Sequence, residues 1–156
     1  MSSNLSNDIH TALNGLINQF WAGLIQHRSH VTILRALGYD KLAKDMQQRI
    51  LDEPETIEAL QKRLLELDGQ IAFQAYAPML GQDVRGILGN DLQLQEQGLP
   101  VLAEAARLAA ERSDTATRRL IEDIIVDEEA HLNWLKDEVS LLERLGDPLY
   151  LARSAG

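Results

Sequence analysis

Four stretches of roughly 30 residues carry apolar side chains at alternating three- and four-residue steps, a spacing that leaves a bundle of long helices as the reading. The first runs from about Ser6 to Leu37, with Ile17, Phe20, Leu24, His27, Val31 and Leu34 on one face, and Gly38 ends it. A second begins after Asp40, a good N-cap, and carries Met46, Ile50, Glu53, Ile57, Leu60, Leu64 and Leu67 in the same phase. From Asp68 to Gln82 the pattern lapses through Gly69, Pro78 and Gly81, too long a connection for a hairpin and suited to a crossover. The third stretch, Asp83 to about Arg112, lines up Val84, Leu88, Gln95, Leu99 and Leu102. The fourth starts at Ser113 or Asp114 and reaches Leu145, where Gly146-Asp147-Pro148 stops it. Leu149 to Arg153 can add a short fifth helix. Four rods, each about 45 Å long at ~1.5 Å per residue and joined short, long, short, describe an all-α four-helix bundle. A single domain over residues 1–156 is expected.

Two prolines work against this pattern. Pro54 and Pro100 fall inside the second and third helices, where each removes a backbone donor and costs roughly 3 kcal/mol unless the helix bends. Asp52-Glu53-Pro54 could cap a new helix. The phase that persists from Met46 to Leu67 instead favours one kinked rod.

Composition narrows the function. With 156 residues, 45% hydrophobic and 25% charged, the chain is ordinary for one globular domain. It has no cysteine, which excludes disulfides and zinc-thiolate sites. No basic leader followed by an apolar run is present, nor any stretch near the ~18 apolar residues of a membrane span, so a cytoplasmic location is the default expectation. A net charge of -9 without a basic face argues against nucleic acid as a partner.

The chemistry lies inside the stripes. Ile124-Ile125-Val126-Asp127-Glu128-Glu129-Ala130-His131 places Glu128 and His131 one helical turn apart on the apolar face. Di-iron bundles use such Glu-x-x-His pairs on two of their four helices. The counterpart here, Glu53-Pro54-Glu55-Thr56, keeps the carboxylate and has threonine where histidine would stand. Stripe positions converge on a bundle axis, so Phe20, His27, Glu53, Gln95, Glu128 and His131 are candidates to meet. A carboxylate buried there needs a metal, a proton or a cationic neighbour. Iron(II) and manganese(II) suit carboxylate with imidazole. The metal-free alternative is a buried polar pair, Glu53 or Glu128 hydrogen-bonding His27 or His131. His10 and His30 are expected to face solvent or a subunit contact, and Trp21 and Trp134 to be packing anchors.

The chain resembles the bacterioferritin family. The resemblance rests on Gly81-Gln82-Asp83-Val84 leading to Asn90-Asp91-Leu92, on Asp127-Glu128-Glu129-Ala130-His131-Leu132-Asn133-Trp134-Leu135, on Leu64 to Gly69, and on Leu145-Gly146 with Tyr150-Leu151 beyond. It implies a ferritin-like bundle, a 24-subunit shell, an iron-oxidising centre in each bundle, and haem held by a methionine of the second helix. Carried over residue by residue, the family's ligands fall at Phe20, at Glu53 and Thr56, at Gln95, and at Glu128 and His131. Only Glu53, Glu128 and His131 keep the ligand type. The haem-binding methionine falls at Pro54, so axial haem ligation there is not expected. Two carboxylates balance one divalent ion, so the expected site holds a single metal: Glu53, Glu128 and His131, with His27 as a further donor and Gln95 as a neutral one. The expected function is an iron-storage subunit with a degenerate oxidation centre, self-associated and paired with a catalytically complete ferritin subunit. The alternative is a non-enzymatic ferritin-fold scaffold that no longer stores iron.

Overall fold

The computed structural model describes residues 2–156, with side chains from Asp8 onward; Met1, where the expected domain begins, lies outside the described residues. Six helices follow in order: α1 (Ser2–Ala36), α2 (Asp40–Arg49), α3 (Glu53–Glu66), α4 (Val84–Glu111), α5 (Thr115–Leu145) and α6 (Asp147–Ser154). There is no strand among the described residues. Helix α1 lies along α2 and α3, α4 lies along α5, and the two pairs meet mainly through α1 and α4. The result is a four-helix bundle whose second rod is α2 followed by α3.

That second rod is broken, not kinked. Residues 50–52 form a turn, and α3 starts afresh with Pro54 in its first turn. Proline has no N–H and its ring crowds the carbonyl four residues back, here that of Ile50. The Ile50 carbonyl instead accepts from Glu53 N–H at 3.2 Å, a tighter turn that closes the gap. Pro in the first helical turn is favourable because its missing donor would be unpaired there anyway. The apolar phase survives the break: Met46, Ile50, Glu53, Ile57, Leu60 and Leu64 are all buried. At Pro100, by contrast, α4 continues unbroken.

Local chemistry sets the other boundaries. Gly38 adopts φ +90° and the Tyr39 N–H returns to the Leu34 carbonyl, closing α1. Asp83 caps α4 by accepting from Gly86 N–H at 2.7 Å, and Asp114 caps α5 by accepting from Thr117 N–H at 3.1 Å. Helix α6 docks through Tyr150, fully buried, whose hydroxyl donates to Glu138 at 2.6 Å.

The crossover between α3 and α4 is strapped to α1 by a polar stripe. His10 meets the Leu67 carbonyl; Asn14 bonds the Gln70 carbonyl and the Ala72 N–H; Asn18 bonds the Ala72 carbonyl and the Gln74 N–H. Further along, Gln26 accepts from Met79 N–H and His30 from Gly81 N–H. These side chains stand four or eight residues apart, so a stripe winding along α1 satisfies an extended backbone that has no sheet to join. His30, expected at solvent or a subunit contact, is fully buried, and His10 is half-buried on the crossover. Gly81 is required: a Cβ there would sit 2.3 Å from the backbone of Gly86 and Ile87.

Two apolar cores fill the bundle. One gathers Val31, Leu34, Met46, Ile87, Leu88, Leu135 and Tyr150; the other gathers Leu13, Ile17, Ile57, Leu60, Leu64, Leu102 and Ile121. Between them lies a layer of buried polar side chains.

Candidate functional site

Every rod contributes to that layer. Helix α1 supplies Gln26, His27 and His30; the start of α3 supplies Glu53; α4 supplies Asp91 and Gln95; α5 supplies Glu128 and His131. Glu53 is the first residue of α3, where the helix dipole favours a carboxylate, so the break that Pro54 enforces also seats Glu53.

Two hydrogen-bonded pairs close the centre. His27 Nδ1 lies 2.8 Å from Glu53 Oε1, and the Gln95 side-chain amide donates to Glu128 Oε2. Both glutamates therefore point inward, Glu53 buried and Glu128 half-buried. Phe20 lines the same space and brings no donor. His131 packs beside His27 with ring centroids 5.3 Å apart, and its far side meets Trp134, which in turn stacks under Arg49. Trp21 stands exposed on α1 and is not a packing anchor within the subunit.

A second tier backs the first. Asp91 is fully buried; its Oδ1 accepts from Gln26 at 2.9 Å, lies 2.8 Å from His30 Nδ1, and is 3.9 Å from His27 Nε2. Because Gly81 N–H donates into His30 Nε2, that nitrogen carries no proton, and the ring hydrogen sits on Nδ1 and donates to Asp91. Asp91 was absent from the expected site. The signal was available, since it falls on the α4 stripe between Leu88 and Gln95 at helical steps.

The electrostatics follow from these contacts. Burial alone would strip His27 of its proton, but the charge and hydrogen bond of Glu53, then the charges of Asp91 and Glu128, raise it to about 9. His131 moves the other way, lowered to about 3 by burial and by the cation on His27. Burial also raises Glu128, with Gln95 opposing and the neighbouring Glu53 assisting. Asp91 is held low: its burial is outweighed by His30, His27 and Gln26. An imidazolium at His27 thus neutralises one carboxylate charge that a metal would otherwise have to meet.

The donor set can now be tested against the groups that the resemblance implies. Among the described residues no three His, Asp or Glu side chains come together as a metal cage. A pair of irons does not fit this centre: α1 and α4 offer Phe20 and Gln95 where carboxylates would be needed. His27 Nε2, Asp91 Oδ2 and His131 Nε2 are, however, buried without hydrogen-bond partners among the described residues. Haem does not fit at Pro54, which has no donor, and Met46 is fully buried in the apolar core.

Comparison with known proteins agrees with this architecture. The family model for the ferritin-like domain matches residues 10–145. The chain is 30% identical over 142 residues to a bacterioferritin of Mycolicibacterium paratuberculosis, covering 90% of this chain and 89% of that one. It is 26% identical over 137 residues to a bacterioferritin of Brucella melitensis, covering 87% and 81% respectively. The solved structure of the Mycobacterium tuberculosis bacterioferritin BfrA superimposes with a TM-score of 0.91 at 27% identity, covering 96% of this chain and 94% of that one. By fold, by length and by sequence, the chain belongs to the bacterioferritin family.

Proposed function

We propose that this chain is an iron-storage subunit of a bacterioferritin-type assembly whose own bundle centre does not oxidise iron in pairs. It builds wall and acidic surface for the store, and a catalytically complete ferritin subunit supplies the oxidation. The observation that supports this reading is the His27–Glu53 pair at 2.8 Å, in which the imidazole, its pKa raised by Glu53, answers a carboxylate that would otherwise call for a metal. Two ferrous ions bring four positive charges against the two carboxylates Glu53 and Glu128, so coupled two-electron oxidation is not expected. Haem is not part of the reading. Its place would be intracellular iron homeostasis, in the cytoplasm, as a homo-oligomer or mixed shell of up to 24 subunits.

The test is iron loading of the protein alone and co-assembled with a complete bacterioferritin, followed by sedimentation. Slow loading alone and a mineral-filled shell in the mixture are expected. A particle of dimer mass under both conditions would remove storage and leave a ferritin-fold scaffold. Restoring the family's ligands by Phe20→Glu, Thr56→His and Gln95→Glu together is expected to gain iron oxidation.

A second reading places a single divalent ion at Glu53, Glu128 and His131, with His27 and Gln95 completing the set. It is supported by the buried, unpartnered Nε2 of His131, which burial keeps neutral and able to ligate. His131→Ala should then abolish bound metal; unchanged stoichiometry by elemental analysis sinks this reading.

A further inference from the structure

Helix α1 and the end of α2 border a cleft of about 200 Å³ that lies apart from the polar layer. Val31 and Ile50, both buried, form its floor, and Leu51 adds an exposed apolar wall. Thr32 and Gln47 line its sides. Arg28 and Arg35 complete the lining from two turns of the same helix, which puts their Cα atoms about 10 Å apart along α1. No aspartate or glutamate lines this cleft, in a chain whose net charge is -9.

Most arginines of this molecule are already answered. Arg63, Arg85, Arg107, Arg112, Arg118 and Arg153 each meet a carboxylate, and Arg49 stacks over Trp134. The Arg28 guanidinium meets no carboxylate or other acceptor among the described residues, and Arg35 donates only to the Gln47 amide oxygen, at 2.5 Å. Two unneutralised guanidiniums at the ends of an apolar floor select their guest. A cation is repelled by both. A compact anion such as phosphate engages a guanidinium fork and gains nothing from Val31, Ile50 and Leu51. A nucleotide is excluded, because the cleft is smaller than the ~300 Å³ at which pockets for drug-sized molecules begin. What fits is a short hydrocarbon with a carboxylate at each end.

We propose that this cleft is a binding site for a small aliphatic dicarboxylate. One carboxylate pairs with Arg28 and the other with Arg35, and the methylene chain between them lies over Val31, Ile50 and Leu51. All of these residues belong to one subunit, so the site goes beyond the storage reading and does not depend on iron or on a shell.

Isothermal titration of the full-length protein with sodium glutarate at neutral pH and fixed ionic strength tests it, with sodium butyrate and inorganic phosphate as the other two ligands. Saturable binding of one glutarate per subunit, with Kd of about 1 mM or tighter, is expected. Butyrate has one carboxylate and phosphate has no hydrocarbon, and each should bind at least about tenfold more weakly. Arg28→Gln and Arg35→Gln should each weaken glutarate about tenfold; both side chains are exposed, so helix content should be unchanged. Arg119→Gln removes an exposed arginine of α5 that does not line the cleft, and should leave the affinity as it was. Non-saturating heats, phosphate or butyrate binding as tightly as glutarate, unchanged affinity in folded Arg28→Gln or Arg35→Gln protein, or an equal loss in Arg119→Gln would each overturn the proposal.

Discussion

His27 stands between two carboxylates, Glu53 on one ring nitrogen and Asp91 near the other, and its protonation is tied to the folded state. Its value is raised, from 6.5 to about 9, so the stability it contributes is complete below about 6.5 and is lost as pH climbs through about 9. The thermal midpoint should therefore fall across that window. In His27→Gln protein the fall should be smaller; an identical alkaline profile would exclude His27 as its source. Asp91 anchors the tier behind, and Asp91→Ala would leave His30 and Gln26 buried without their acceptor. A loss of about 3 kcal/mol in denaturant titration is expected. At this scale the sequence pointed to five of the eight side chains of the polar layer. Glu53, Glu128, His131, His27 and Gln95 all reach the polar layer from their stripe positions, because a charged residue within an apolar stripe is conspicuous. His30 was misjudged as facing solvent or a subunit contact, and Asp91 was passed over although it lies on the α4 stripe; their 2.8 Å contact makes both stable inside.

Among the elements, α1 does two jobs at once, packing a core with one face and strapping the crossover with another. Asn18 is buried and makes a bond to each of two crossover residues. Asn18→Ala should cost about 2 kcal/mol and speed amide exchange in residues 70–81. Unchanged exchange there would show that the strap is held by other contacts. Helix ends were legible to within a few residues because apolar spacing, Gly38, Asp83 and Asp114 mark them; Asp40, read as an N-cap, is instead the first residue of α2 and makes no capping bond. The break at 50–52 was not, since the turn keeps Ile50 and Glu53 in register and leaves the apolar pattern unmarked. Periodicity reports burial of hydrocarbon. It is blind to polar side chains whose partners are distant backbone groups, which is why His10 and His30 read as facing solvent or a subunit contact and Asn14, Asn18 and Gln26 gave no signal.

The whole molecule is two apolar cores separated by a polar layer that spans all four rods. None of its described helices is long and apolar enough to cross a membrane. Overall architecture was readable from the sequence because the length of the rods and the position of the long connection leave few ways to close a bundle. The polar layer satisfies much of its own charge, with the His27 cation set against Glu53 and Asp91. Exhaustive chelation should accordingly leave the thermal midpoint within about 2 °C of its untreated value, as for a fold with no ligand linkage. A large drop would place a metal inside the folding reaction. A bundle carrying a permanently tethered counter-ion can be made and folded in an iron-starved cell, ready before the first ferrous ion arrives.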